Sequence, residues 1–460
     1  MKDYHDIRRF LSALPSVNTL LQHPVLVALS GDRPRSFIAE SVRSVLKQVR
    51  SGILERSEFP DDLSEEILVQ RVKSDIENPD IPTIQPVINA TGIVLHDAMR
   101  GAMVTDVVRN AMIEAQRPGI TDVEARAEKV LCEITGADAA CLLHSDLGAL
   151  WVAIDTFGRG MEVVISRSHM GAQGAIRMMD LFDRCGVHVV EVGATNKTHL
   201  KDYRAALNDR TGAIISIRPA TYAFRGFAQD VAPEHLAALS AEHDVPVLYA
   251  AGLTTLTSPP ASSWQPALTV QKAVRSGVSI TLIGSALTGA PPCGIAIGQS
   301  AMIDRMKQNP MSHFQGVGPE IYAGMEAALQ SFDVATAGLG QHAAGRMILA
   351  SPDDVKARAG HLMDLCCAEL GHTATLSLIE TTSHLTGVRL PSESLLGYGI
   401  SIRPATMEAA SLSKLFYDHS PILLTDFEDD RIILDLRTVE DTEVETLSGI
   451  LTSVLKNTCV

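Results

Sequence analysis

The chain reads as an α/β protein: a large domain on a mostly parallel, doubly wound sheet, with a helical N-terminal domain and a small α+β C-terminal domain. Three observations predict this. Residues 1 to about 80 carry helical periodicity and no strand pattern. From Pro86 onward short apolar runs alternate with amphipathic stretches of helical length, the signature of right-handed crossovers between parallel strands. After about residue 335 strands follow one another more closely and end in a hairpin pattern. The expected domains are 1–80, 81–330 and 331–460.

The first eighty residues divide into an opening helix, the LLQHPVLVAL segment broken by Pro24, a longer helix from about Ser36 to Leu54, and a third helix from Asp62. Pro60-Asp61-Asp62 has the form of a turn plus N-cap with acidic residues early in the helix. Asn78-Pro79-Asp80-Ile81-Pro82 is a linker signal. In the large domain the expected strands are Val87 to Asn89, Ala139 to Leu143, Glu162 to Ile165, His188 to Val192, Ala213 to Ile217, Pro246 to Tyr249, Ser279 to Ile283 and Gly294 to Ile297. Helices such as Gly174 to Cys185 and Pro233 to His243 lie between them. Ligands of such sheets sit at the carboxyl ends of the strands, so the loops after Leu143, Ile165, Ile217, Tyr249 and Ile283 are expected to share one crevice. The C-terminal part begins with a helix around Val355 to Leu370. Strands near Thr373 to Leu378, Thr386 to Leu390 and Gly399 to Arg403 follow, then a helix from Met407. A hairpin turning at Asp429-Asp430 and a closing helix near Thr442 complete it.

Composition narrows the class. Hydrophobic residues make up 46% and charged residues 20%, ordinary for a soluble globular protein. No apolar run approaches the roughly 18 residues of a membrane span, and the polar start MKDYHDIRRF is unlike a signal sequence, so the expected location is cytoplasmic. Seven cysteines (Cys132, Cys141, Cys185, Cys293, Cys366, Cys367, Cys459) form no CxxC pair and read as reduced thiols, with no metal site expected. With 39 Lys plus Arg against 54 Asp plus Glu, the net charge of −15 opposes non-specific nucleic-acid binding. A local exception is 33–56, where Arg33, Arg35, Arg43, Lys47, Arg50 and Arg56 outnumber Glu40 and Glu55.

The stretch Val278 to Gly298, VSITLIGSALTGAPPCGIAIG, carries the site expectation. Two apolar strands flank a loop of small residues, a form that admits close approach of a ligand or a neighbouring backbone. Scattered histidines such as His96, His144 and His169 have no metal-ligand spacing, and a Ser/His/Asp arrangement on Ser145 or Ser285 lacks a nucleophile-elbow motif.

Several segments together resemble the bacterial selenocysteine synthase (L-seryl-tRNA(Sec) selenium transferase) family, fold-type-I enzymes dependent on pyridoxal phosphate. They are LSALPSVNTLL near the start, PVINATGIVLH (86–96), EITGADAACLL (133–143), EVVISR (162–167), EVGATNKTHLKDYRAAL (191–207), DVPVL (244–248), IGSALTGAPPCGIAIG (283–298) and RIILDLRTVED (431–441). The resemblance implies a fold-type-I large domain, a tRNA-contacting N-terminal domain that includes the 33–56 face, and a homo-oligomer, a dimer or a ring of dimers. It also marks departures. Ala286 stands at the position of the lysine that holds the coenzyme, and Ala250 at that of the aspartate that pairs with the pyridinium nitrogen. The phosphate-cradling helix start reads His144, Ser145, Asp146, Leu147, Gly148. The Arg/Gly-rich loop shortens to Pro118-Gly119-Ile120-Thr121-Asp122, and the residues after VLH become Ala98, Arg100 and Gly101. An arginine-bearing stretch becomes Ser312, His313, Phe314, Gln315, Gly316, and the loop after Ile217 reads Arg218-Pro219-Ala220-Thr221. Lys272 and Lys307, the lysines flanking the stretch, lie on the preceding helix and far downstream.

The implied reading is a divergent, non-catalytic homologue that keeps fold and oligomerisation. It binds a partner: tRNA, an active paralogue or another protein. Pyridoxal phosphate is the family's cofactor, and covalent binding is not expected here. Ser145, Gly148 and Ser285 are the residual pocket positions. Two alternatives stay open: an active selenium transferase with a variant mechanism, and a pocket repurposed for another small molecule. Asn89, Thr91, Gly92, Gly193, Thr195 and Asn196 match the family and are equally explained as turn residues.

Overall fold

The computed structural model describes residues 11, 14–29, 33–55, 64–77, 84–99, 104–119, 122–173, 176–219, 221–224, 226–261, 263–370 and 373–457. Arg56, the Pro60–Asp62 turn, the 78–82 linker, Arg100, Gly101, Ile120, Thr121, Gly174, Ala220 and Cys459 lie outside them. The chain divides into two compact units, Met1–Pro86 and Val87–Val460.

The first unit is helical, as expected: Val17–Leu21, Pro24–Leu29, Arg35–Glu55 and Glu65–Glu77. The spacing of Ile38, Val42, Val45, Leu46 and Val49 puts one face of the long helix into a core with Leu20, Leu26, Leu68, Val72 and Ile76. Arg43, Lys47 and Arg50 recur at helical spacing and are exposed, so they form a basic stripe away from that core.

In the second unit a seven-stranded sheet runs in the order Ala139–Leu143, Gly294–Gly298, Ile280–Gly284, Val247–Ala250, Thr211–Ile217, Glu162–Ser166, His188–Val192. Every pairing is parallel except those of Gly294–Gly298, which runs against both neighbours. The strands are apolar on both faces because each face is covered. One core contains Leu131, Tyr203, Leu236 and Met325, the other Leu150, Ile154, Phe157 and Phe182. Gly294 permits the close packing here, since a Cβ on it would collide with the Ser145 carbonyl.

A second sheet holds six strands in the order Val87–Ala90, Ile422–Glu428, Arg431–Asp435, Ser394–Pro404, Ala374–Thr386, Ile93–Leu95. This corrects the expectation that Val87 to Asn89 belongs with the large sheet: Val87 pairs in parallel with Ile422. A four-residue apolar run cannot reveal which sheet it joins, because its partner lies more than 300 residues away. The strand expected near 373–378 runs on to Thr386 as Ala374–Thr386, and the one expected at 386–390 is absent: residues 387–390 turn away, with the Arg389 amide donating to the Thr386 carbonyl and Arg389 at φ +57°. The hairpin turns at Asp429-Asp430 as expected, both residues in the left-handed region. The closing helix Val444–Asn457 starts after a short turn capped reciprocally by Glu440 and Glu443, rather than at Thr442. The segment before Cys185 is a small hairpin followed by the helix Met178–Cys185. Among the described residues no helix is long and apolar enough to cross a membrane.

Candidate functional site

The strand ends place two of the expected loops together. The segment after Leu143 and the segment after Ile283 line a cavity of about 340 Å³, joined by Leu95, His96 and Asp97 from the end of the strand Ile93–Leu95 and by Pro292 and Cys293. The two loops touch: a Cβ on Gly284 would lie 3.6 Å from the Cβ of Asp146. The glycines of the 284–293 loop face side chains, Gly284 that of Asp146 and Gly289 that of His342.

The helix Asp146–Gly158 starts at this cavity. Ser145 is its N-cap, its Oγ accepting from the Gly148 amide at 3.0 Å, and Asp146 Oδ1 accepts from the Leu147 amide at 2.8 Å. The His144 amide donates to the Gln315 carbonyl at 2.6 Å, and a Cβ on Gly148 would collide with the Gln315 side chain. The Leu147 and Gly148 amides of this helix start are therefore engaged, and a carboxylate stands beside them.

Ser285 is 2% exposed. Its hydroxyl donates to the Pro291 carbonyl at 2.7 Å and accepts from the Cys293 amide at 2.9 Å, which closes the loop on itself. Ala286 is half-buried at the cavity wall. Burial pushes the Cys293 thiol up to about 12, so it stays protonated at neutral pH. Lys272 is exposed on the helix Val270–Arg275, and Lys307 pairs with Glu128 at 2.6 Å; neither lines the cavity.

The loops after Ile165, Ile217 and Tyr249 form a separate polar network. His169 is 3% exposed; its Nδ1 accepts from the Ile217 amide at 3.3 Å and its Nε2 donates to Asp230 at 3.0 Å. Both ring nitrogens are used, which leaves no lone pair for catalysis. Tyr222 donates to the Ser168 carbonyl at 2.7 Å, Thr221 donates to the Ala172 carbonyl at 2.8 Å, and the Arg218 amide donates to the carbonyl of the half-buried Ala250 at 2.9 Å. His96 and His144 line the cavity while His169 does not. Among the described residues no group of His, Cys, Asp and Glu is arranged to hold a metal ion.

The turn residues have structural partners. Asn89 donates to the Ile93 carbonyl and accepts from Thr91, while Gly92 has φ +74° and donates its amide to Thr438. Gly193 has φ +72° against Thr198, and Asn196 donates to the Phe227 carbonyl. Sequence reasoning missed Asp97, the contact of Gln315 with the helix start, and Asp230 as the partner of His169. The last two act across 61 residues or more, with no local signal.

Beneath the 285–293 loop lies His342, 1% exposed, its Nδ1 accepting from the Gly345 amide at 3.2 Å and its Cδ2 3.1 Å from where a Cβ on Gly289 would stand. Burial, with Arg346 nearby, lowers its pKa to about 4. The unfolded chain therefore takes up a proton near pH 6.5 that the folded chain refuses. This histidine's contribution is full above that pH and is lost as the pH falls toward 4, about 3 kcal/mol in all. His342→Asn keeps a capping acceptor and is expected to flatten that acid limb, read as the difference in thermal midpoint between pH 7 and pH 4.5.

A mostly parallel sheet with a cleft at its carboxyl ends, a helix start on one wall and a second, mainly antiparallel sheet is the architecture of fold-type-I pyridoxal-phosphate enzymes. A solved D-glucosaminate-6-phosphate ammonia-lyase shares the fold, with TM-score 0.58 and 15% identity over 82% of this chain and 97% of that one. The family profile described as L-seryl-tRNA selenium transferase matches residues 87–440, and that for the selenocysteine synthase N terminus matches 11–50. The L-seryl-tRNA(Sec) selenium transferase of Moorella thermoacetica is 30% identical over 463 residues, 98% of each chain. That of Methylocella silvestris is 30% identical over 448 residues, 94% of this chain and 95% of the relative. The chain belongs to the selenocysteine synthase family.

The family's coenzyme is a poor fit to this cavity. Of the described residues that line it none is a lysine or arginine, Ala286 offers no amine, and Asp97 and Asp146 would face a phosphate dianion.

Proposed function

We propose that this chain is a non-catalytic member of the selenium transferase family that keeps the fold and homo-oligomeric assembly and acts by binding a partner. The observation that carries this reading is the state of the cavity: Ala286 at the strand end, with the Leu147 and Gly148 amides already bonded to Asp146 and Ser145. Covalent chemistry on a pyridoxal coenzyme needs a neutral amine there and a cation or free amides for its phosphate. The side chain at 250 is a methyl group, so a pyridinium nitrogen would have no carboxylate partner from that position.

The partner favoured by the residues is a tRNA. Arg43, Lys47 and Arg50 present a basic stripe on a chain that is acidic overall, and the N-terminal family profile spans them. Similarity over 98% of the length keeps one competing reading in view, an active transferase with a variant mechanism. One experiment separates them. The purified chain is mixed with pyridoxal phosphate, reduced with borohydride and weighed by mass spectrometry, and in parallel is titrated with tRNA at several salt concentrations. The expected result is no covalent adduct, no selenocysteinyl-tRNA from seryl-tRNA and selenophosphate, and a gel shift that weakens with salt. A reducible adduct with turnover would overturn the proposal.

A further inference from the structure

The strand Ala374–Thr386 is thirteen residues long, and most of it has a neighbour on one side only. Residues Ala374 to His384 pair antiparallel with Pro404 to Ser394 without a register shift. On the other side Ile93–Leu95 covers His384 and Thr386 alone. The His384 amide donates to the Gly92 carbonyl at 2.8 Å, which sets the alternation: even-numbered residues point their backbone groups to this side. Ala374, Leu376, Leu378, Glu380 and Thr382 therefore present N–H and C=O where no strand among the described residues stands. Leu378 is 41% exposed, and Thr375, Ser377, Glu380 and Thr382 are exposed with it.

Unpaired edges are normally blunted by a lysine, a proline, a bulge or shortness. This one has none of these. In a chain of net charge −15, the stretch 374–382 carries a single charged side chain, Glu380. Repulsion between acidic copies is thus small along this strand.

We propose that this edge pairs antiparallel with the same strand of a second copy, about a two-fold axis through Leu378. In that register Leu378 meets its counterpart, Leu376 meets Glu380 and Ala374 meets Thr382. All are even-numbered, so both strands offer their free groups to each other, for about ten N–H···O bonds. The two Glu380 carboxylates face leucines instead of one another, and the exposed Leu378 side chains cover each other. A two-fold axis uses each edge once, so the pairing closes and does not propagate into a fibre. The same strand could receive a foreign peptide through its main chain, but a self-register that pairs Leu378 with Leu378 and keeps the two Glu380 carboxylates apart favours a second copy. This interface specifies one surface of the proposed homo-oligomer and is independent of the state of the cavity.

The test uses the full chain and light scattering. A lysine at 378 sets like charges directly opposite, so Leu378→Lys is expected to lower the mass twofold, while Val334→Lys, at a position 71% exposed elsewhere, leaves it unchanged. Hydrogen exchange of the 376–382 amides is expected to quicken by at least about tenfold in Leu378→Lys. Mixing Leu378→Lys with Leu378→Glu copies is expected to restore the mass, which a misfolded variant would not do. An oligomeric wild type whose mass and exchange ignore Leu378→Lys, or a mixture that fails to recover, overturns the edge pairing alone. A monomeric wild type overturns it together with the oligomeric reading.

Discussion

Ala286→Lys is expected to return an amine to the end of the strand Ile280–Gly284 and still give a protein without coenzyme turnover. The new ammonium would share its cavity with Asp97 and Asp146, and two carboxylates hold an ammonium in its charged form, whereas condensation with an aldehyde needs the neutral amine. The phosphate would remain unsupported, because Ser145 and Asp146 occupy the Gly148 and Leu147 amides and Gln315 blocks the helix start at Gly148. Position 250 would still lack the carboxylate that makes the ring an electron sink. Loss of a single electrostatic contact in an active site costs on the order of 10²- to 10³-fold in rate, so repair of one among several leaves turnover at least about a thousandfold below that of an active relative. The measurement is selenocysteinyl-tRNA formation by the single variant beside the triple variant Ala286→Lys, Ala250→Asp, Asp146→Asn. Covalent uptake of pyridoxal phosphate with turnover by the single variant would show that the other positions are immaterial.

Much of this site was visible in the sequence because its elements are local. Ser145 and Asp146 read as a helix start, and the 284–293 loop reads as small residues between two strands; both statements depend on neighbours within about ten positions. The large parallel sheet was legible for the same reason, since each βαβ unit announces itself through a change of period. What stayed hidden was pairing at a distance. Nothing in Val87–Ala90 identifies Ile422–Leu424 as its partner, and nothing near His169 points to Asp230 or to the Ile217 amide. The crevice expected from five strand ends is two places, a cavity at Leu143 and Ile283 and a filled polar network at Ile165, Ile217 and Tyr249. The second is filled because its histidine, tyrosine and threonine side chains bond backbone groups, a choice that sequence cannot display.

Asp435→Ala is expected to be the most destabilising substitution in the smaller sheet. The carboxylate is 3% exposed at the end of the strand Arg431–Asp435. Its Oδ2 accepts from the Thr381 hydroxyl at 2.7 Å and the Ser383 hydroxyl at 2.8 Å, and its Oδ1 accepts from the Arg437 amide at 2.9 Å. It thereby ties its own strand to Ala374–Thr386, and the positive-φ Gly92 fits against it because a Cβ there would stand 2.6 Å from Oδ2. Arg437 is also 2% exposed, and its guanidinium donates to the carbonyls of Met347 and Ala350 at 2.8 Å each, and to that of Leu396. Among the described residues no carboxylate forms an ion pair with that cation; the nearby charge of Asp435 works against the desolvation that pulls the guanidinium pKa below its ordinary value. Removal of Asp435 strips three hydrogen bonds and leaves a buried cation uncompensated, a combination that costs about 3–5 kcal/mol. In a unit of this size that lowers the thermal midpoint by about 5 °C. Asp435→Asn retains one carbonyl acceptor and loses the charge, so it is expected to fall between wild type and alanine. Calorimetry of the three proteins at pH 7 checks the order, and an alanine variant melting within about 2 °C of wild type would mean that neither the hydrogen bonds to Asp435 nor its charge holds this corner together.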